Sequence, residues 1–328
     1  MFIVLTAQPN NGSELKVGTM ILCCGEALID MVPSTAVGGS PCFIPKSGGA
    51  VFNTAIALGR LGSDVGLLAG VSDDLFGRLL QDELAASKVQ SRYLVTRALP
   101  SSLAFVELNK GQAQYTFYTE NAADPSLVAS DVPRDLSAVK AMFFGGISLC
   151  TDPTATTLHD LMRTKSDDCL TMIDPNIRTE FVGDEKNYNT RLRDMINHCD
   201  ILKISDEDLN WLVPEADNSA AQMSILNKNG CRLTFLTKGA KGATAYLGNR
   251  QIAHAAAVPS EVVDTIGAGD TFNAAILHVF ERHNSLNKTH AAKPEINIVQ
   301  MALDFAVKAA AITVSRKGAN PPWPDELL

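Results

Sequence analysis

An aspartate directly behind three small residues is the most chemically suggestive string in this chain. Gly267, Ala268 and Gly269 are too small and flexible for a rigid core segment, yet they run into Phe272, Ala275, Ile276, Val279 and Phe280, an apolar series at helical spacing. That pattern predicts a tight turn opening a buried helix. Such a turn leaves backbone N–H groups without partners and aims their partial positive charge outward, where an anion is the natural occupant. Asp270 would repel a phosphate there unless its task is to take the proton from a hydroxyl that attacks that phosphate. Phosphoryl transfer needs both parts, a charge-stabilising cradle and a base. An aspartate at a helix start also serves as a cap, and the local pattern leaves both roles open.

The elements that must position this turn belong to an α/β protein. At 328 residues and 46% hydrophobic, the chain can bury a large core as one big domain or two smaller ones. A net charge of −8 and a pI near 5.3 argue against a nucleic-acid or anionic-membrane partner, so phosphates would be held by backbone dipoles and a few placed cations. Seven cysteines without a C-x-x-C pair read as reduced core thiols of a cytoplasmic protein. The six histidines show no metal-ligand spacing. No apolar run reads as long enough to span a bilayer, and MFIVLTAQ lacks the preceding positive flank of a signal peptide.

Other polar residues fall at strand ends, the edge where open α/β sheets bind ligands. The apolar run from Met20 through ILCCGEALIDMV predicts a first strand that delivers Asp30 near its carboxyl end. Gly48 and Gly49 form a turn before a helix from Ala50 to Leu61, with Asn53 in its first turn as a cap or a ligand. SLAFVELNKGQAQYTFYTE alternates around Asn109–Gly111 as a hairpin. Asp174, Asn176 and Arg178 end a further strand, in a turn by the plainest reading, and Ser205 to Asp208 end another with a cluster of acids suited to a solvated helix start. Thr237 to Gly242 read as a hairpin turn, and an Ala-rich helix from Ile298 to Val314 ends at Ser315–Pro321.

Two of these strings resemble a known family. D-T-x-G-A-G-D followed by T-F-N-A-A-I-L, from Asp264 to Leu277, is similar to the C-terminal signature of the ribokinase-like (PfkB-type) carbohydrate kinases and matches it at every position that signature constrains. G-G-x-x-x-N, from Gly48 to Asn53, resembles their N-terminal signature. The resemblance implies a ribokinase-like α/β fold: a mostly parallel central sheet flanked by helices, with a small β-sheet lid from segments at about 31–46 and 99–122. Residues 1–19 would form an extension before a kinase domain over 20–328. The lid would close over the sugar and exclude water.

The same resemblance implies roles. Asp270 would be the base, with Gly267, Ala268 and Gly269 holding the developing charge. Asp30, Gly48, Gly49, Asn53, Asp174, Asn176 and Arg178 would meet the sugar. Lys203, Ser205, Thr237, Gly239, Gly242, Gly267, Gly269 and Gly318 would meet ATP. Ser205 and Asp208 stand where the family has N-x-x-E, so Asp208 would act on Mg2+ through water, and Asp264 would serve a monovalent cation such as K+ beside Pro322. The DPN-x-R string resembles fructokinases and 2-keto-3-deoxygluconate kinases more than ribokinase. Tyr118, Thr119 and Glu120 replace an arginine that helps relatives hold an acidic sugar. D-fructose is therefore the first acceptor, 2-keto-3-deoxygluconate the second, and ribose or a nucleoside the third. A lid-to-lid homodimer would cover exposed strand edges. No G-x-x-x-x-G-K-[ST] and no G-x-G-x-x-G after the first strand are present, which sets aside P-loop and dinucleotide-dependent enzymes. A catalytically silent sugar- or nucleotide-binding relative is the reading from a different class.

Overall fold

Unbroken apolar runs become the interior strands of one large sheet. The structure, a computed structural model, describes residues 20–109, 112–216, 218–227 and 233–327. The expected extension over residues 1–19 and the Lys110–Gly111 turn lie outside the described residues.

In the first half of the chain, β1 (Met20–Cys24), β2 (Leu28–Thr35) and β3 (Pro41–Gly48) lead into α1 (Ala50–Leu61), and β4 (Val65–Leu68) and β5 (Gly70–Ser72) into α2 (Leu75–Ala86). Then come β6 (Val95–Arg97), β7 (Leu103–Asn109), β8 (Gln112–Tyr118), β9 (Val139–Gly145) and α3 (Thr154–Lys165). In the second half, β10 (Leu170–Asp174), α4 (Glu185–His198), β11 (Ile201–Ser205), α5 (Asp206–Leu212), α6 (Ser219–Leu226) and β12 (Leu233–Thr237) follow. The chain closes with β13 (Ala243–Leu247), β14 (Arg250–Ala255), α7 (Ala268–Arg282), α8 (Lys288–Ala292) and α9 (Ile296–Val314).

The large sheet runs β14–β13–β12–β11–β10–β9–β1–β4, parallel from β12 to β4, with β13 and β14 added antiparallel. Period-2 alternation splits β1 between two apolar layers. Ile21 and Cys23 face α1, α2, α7 and α9, while Met20, Leu22 and Cys24 face α3 to α6. All strands from β12 to β4 point their carboxyl ends to one edge, and α7 begins over that edge.

A second sheet, β3–β2–β7–β8, pairs β2 with β7 in parallel and its other neighbours antiparallel. Here the structure departs from the expected path of the chain. The run from Met20 to Val32 is two strands, not one: β1 stops at Cys24, and Asp30 lies on β2 in the small sheet. Gly25 and Glu26 break the run, since a Cβ at Gly25 would sit 2.5 Å from Val51 Cγ2 and Glu26 is buried between backbone donors. The small-sheet strands also begin at Leu28 and reach Gly48, beyond the segment expected at 31–46.

A second correction concerns hydropathy. The helix α9 has 19 residues with a mean hydropathy of 1.4, long and apolar enough to cross a bilayer. It packs instead against α7 and the β13–β14 hairpin, with Val299, Ala302, Leu303, Ala306 and Ala309 buried.

Candidate active site

The glycine-rich turn opens α7 as its residues predict. Gly267 has φ of +78°, in the left-handed region, and no side chain caps the helix. A Cβ at Gly267 would lie 2.6 Å from Ala319 Cβ, so the turn needs glycine on steric as well as conformational grounds. Ala268 N makes a long bond to Thr265 O at 3.4 Å, while the N–H groups of Gly269 and Asp270 have no backbone partner among the described residues and are open to an anion. Asp270 lies one position beyond Gly269 inside the helix, and it does not cap its own terminus. Its Oδ2 accepts a hydrogen bond from Asn53 Nδ2 on α1 at 2.9 Å. Burial pushes the Asp270 carboxyl up to about 7; the Asn53 hydrogen bond and Lys203 pull the other way, and Asp174 adds to the rise. A carboxyl poised there holds and releases a proton near neutral pH, as a general base must.

Asn53 is buried and stands in the first turn of α1, behind Gly49, whose φ of +104° starts the helix. Its amide thus orients the Asp270 carboxylate. Beside it, Asp30 Oδ2 occupies the place a Cβ on Gly48 would need, at 2.2 Å, so Gly48 lets the lid carboxyl lie against the turn. Burial also lifts Asp30 to about 7. Along the same lid face, Asp30 pairs with Ala104 and Ala104 with Phe117, whose ring meets Phe181 edge-on at 3.7 Å. Aromatic faces and a carboxyl together suit a polyol with apolar C–H surfaces.

Below the turn lies a buried ionic group. Asp174, at the end of β10, accepts from Lys203 Nζ at 2.8 Å and from Asn273 Nδ2 at 2.7 Å through one oxygen, Oδ2. Its other oxygen, Oδ1, is buried without a protein partner. Burial alone would discharge Lys203, but Asp174, aided by Asp208 and Asp270, holds its pKa above the ordinary lysine value. The ammonium lies 3.1 Å from the place of a Cβ on Gly269, directly against the anion turn. Asn273 was not singled out from sequence. Its spacing of three from Asp270 on one helix was the available clue, since i and i+3 share a helix face.

Ser205 serves as the N-cap of α5, its Oγ accepting from Asp208 N at 3.0 Å. Asp208 Oδ1 accepts from Ile177 N at 3.2 Å, and burial, reinforced by Asp174, lifts the Asp208 carboxyl to about 6. Asn176 adopts φ of +43°, and Arg178 Nη1 donates to Ile177 O at 3.0 Å. Asp206 and Glu207 sit in the first turn of α5, the solvated acidic start that composition also allows.

The hairpin reading suffices for much of the segment from Thr237 to Gly242. Lys238 N donates to Gly242 O at 2.9 Å, and a Cβ on Gly242 would lie 2.1 Å from Ala255 O. Thr237 Oγ1 points to Ile204 O at 3.5 Å, and Gly239 takes φ of +50°. Asp264 divides its carboxylate between two backbone donors, Ile266 N at 3.0 Å and Gly318 N at 2.9 Å. It clamps the segment after α9 against the anion turn. Among the described residues, no three His, Cys, Asp or Glu side chains converge on a metal position. A divalent ion arriving with a nucleotide would be held chiefly by phosphate and water oxygens, as Mg2+ commonly is.

The structure therefore brings Asp30, Gly48, Gly49, Asn53, Asp174, Lys203 and Asp270 to one sheet edge beside an open helix N-terminus. Thr237 ends β12, and Gly239, Gly242, Asp264 and Gly318 lie in the connections beyond it, where their contacts are with the protein itself. A pfkB family carbohydrate kinase pattern matches residues 19–326. The chain belongs to that family. As a carbohydrate kinase it is similar to a fructokinase of Rhizobium leguminosarum bv. trifolii, 42% identical over 276 residues covering 83% of each protein. Fructokinase-1 of Zea mays is 31% identical over 317 residues, 94% of this chain and 95% of the maize protein. The fold resembles the crystal structure of a fructokinase with bound ATP from Xylella fastidiosa, with a TM-score of 0.83, 26% identity and coverage of 92% of this chain and 94% of that one.

Proposed function

We propose that this carbohydrate kinase is an ATP-dependent fructokinase that transfers the γ-phosphate to a primary hydroxyl, giving D-fructose 6-phosphate. The observation that carries the reading is the pairing of Asp270, buried and held by Asn53, with the open N-terminus of α7. In this reading Asp270 takes the proton from the attacking hydroxyl while the N–H groups of Gly267, Ala268, Gly269 and Asp270 hold the charge that develops on the phosphoryl oxygens. Lys203 supports the same charge from beneath Gly269. Asp30, Gly48, Gly49, Asn53 and Arg178 hold the sugar, and the lid face with Phe117 shields it from water. Lys203, Ser205, Thr237, Gly239, Gly242 and Gly318 frame the nucleotide, whose phosphates lie at the turn.

Magnesium would neutralise phosphate charge. The residues fit it: Asp208 and the unpartnered Asp174 Oδ1 are the carboxylate oxygens that would hold its waters. Potassium belongs to the same reading through Asp264, whose oxygens each keep a further lone pair. Replacing potassium by tetramethylammonium in the assay tests it, and a fall in turnover supports the site. A homodimer through the lid rests on two observations: β3 and β8 are sheet edges, and Phe43, Ile44 and Tyr118 expose 44%, 44% and 61% of their surface there. The cytoplasm is the compartment that suits Cys23, Cys24, Cys42, Cys150 and Cys169, which carry free thiols.

The test is ADP release from the purified protein with ATP and fructose, 2-keto-3-deoxygluconate, ribose or adenosine, in parallel with Asp270→Ala. Turnover with fructose that falls about 10²–10⁴-fold in the variant is the expected result. ATP binding without turnover on any acceptor would sink the kinase assignment in favour of a silent binder.

A further inference from the structure

One buried carboxylate lies outside the machinery described so far. Glu26 is 1% exposed and sits in the three-residue break between β1 of the core and β2 of the lid. The groups that hold it are backbone N–H donors rather than a cation. Oε1 accepts from Val51 N, in the first turn of α1, at 3.2 Å, and Oε2 from Ser148 N, just after β9, at 3.3 Å. Two glycines make room for it: a Cβ would fall 2.1 Å from Oε1 at Gly146 and 2.9 Å from Cγ at Gly49.

The next residue completes the junction. Ala27 N donates to Asp124 Oδ1 at 3.0 Å, and Asp124 lies just past β8, where the chain returns from the lid to the core. Ile29 N donates to Ser102 O at 2.9 Å, where the chain re-enters the lid. The connections into and out of the lid are thus tied together at Glu26–Ala27. Glu26 itself is tied to α1, the helix that carries Asn53 to Asp270.

A cap alone does not explain this choice of residue. A serine, threonine or aspartate satisfies the donors of a helix start at less desolvation cost than a buried glutamate. Only a longer side chain with two acceptor oxygens spans the first turn of α1 and the turn after β9 at once. Burial raises the Glu26 carboxyl, and the backbone donors oppose the rise.

We propose that Glu26 is a positioning residue that locks the lid hinge to the first turn of α1, so that Asp30 on the lid and Asn53 on the helix face the same sugar. The proposal rests on the reading of the chain as a sugar kinase. It assigns Glu26 no contact with substrate. Its loss is felt mainly in sugar binding, because Asp30 and Asn53 move relative to each other, and less in ATP binding, because the turn at Gly267 is held by Asp264 through Ile266 N and Gly318 N and is hydrogen-bonded to α1 through Asp270.

The experiment is steady-state kinetics of the full chain and Glu26→Gln with the acceptor that the wild type phosphorylates. Glutamine keeps the volume but has one acceptor oxygen for two donors. The expected result is a rise of about tenfold or more in KM for the sugar with KM for ATP changed less than about twofold. Equal rises in both constants, or a fall in kcat alone, would overturn the proposal and leave Glu26 a fold residue. Hydrogen exchange on the wild type, which needs no variant, gives the second readout. Sugar without nucleotide should slow exchange at Val51, Ser148 and the β2 amides together, and lack of response at Val51 and Ser148 overturns the proposal even where Glu26→Gln does not fold. Wild-type failure to phosphorylate any sugar overturns the functional reading, and this proposal with it. Fructose turnover with an unsplit KM overturns this proposal alone.

Discussion

Asp270 carries the reaction in this reading and costs the fold stability. Its carboxyl is lifted from an ordinary value of 3.8 to about 7, mainly by burial. The folded protein therefore holds that proton more tightly than the unfolded chain. The sign follows from proton linkage: between the two values the unfolded state binds fewer protons, so this group's contribution to stability falls as pH rises from about 4 to 7. Asp270→Asn keeps an acceptor for Asn53 and removes the charge, so the variant should melt a few degrees higher than wild type at pH 8. The gain should shrink toward pH 5, as followed by calorimetry. Its turnover should be lost, a trade of stability for function. In the wild type, kcat/KM for the sugar should fall about tenfold per pH unit below about 7, where Asp270 holds its proton. A flat profile between pH 5 and 8 would remove Asp270 from the role of base.

At the scale of elements, α7 depends on what holds its first turn in place. Gly267→Ala forces a side chain into the left-handed region and into Ala319, an expected loss of about 1–3 kcal/mol by denaturant titration. The same variant should raise KM for ATP, because the N–H groups move with the turn. Beneath it, Lys203→Met would leave Asp174, 1% exposed, as a buried charge without its cation. Breaking such a pair by removing one partner typically costs about 3–5 kcal/mol, so this variant should fold poorly. Lys203→Met with Asp174→Asn should recover much of that loss. A single variant as stable as wild type would show that the pair does not hold the strand ends beneath α7.

For the whole molecule, the sites proposed for sugar and nucleotide share one edge of the central sheet, with a separate small sheet beside it. A ligand that binds across the two raises the melting temperature in proportion to its free-energy linkage, about 2.7 kcal/mol at a hundredfold excess over Kd. Fructose and Mg-ADP together should therefore shift Tm by more than the sum of either alone, because each orders a different side of the same cleft. Additive shifts would mean that the lid does not couple them.

Local chemistry explains what could be read before the chain was folded. The anion turn, α1, the β12–β13 hairpin and α9 followed from spacing, because a helix or a hairpin satisfies its own backbone hydrogen bonds and so announces itself within a dozen residues. The break at Gly25–Ala27 was hidden, since Met20 to Val32 is apolar enough to read as one strand. Only the packing of Val51, Ser148 and Gly146 around Glu26 turns the chain there. Asn53 could be placed on a helix, but its hydrogen bond to Asp270 joins residues 217 apart in the chain. Lys203, Asp174 and Asn273 likewise come from β11, β10 and α7. Sequence by itself determined the family, the reactive turn and most elements, because these rest on residues close along the chain. Tertiary structure decided which polar groups meet and what their burial does to their protons, because desolvation and ion pairing depend on neighbours that the chain brings from far away.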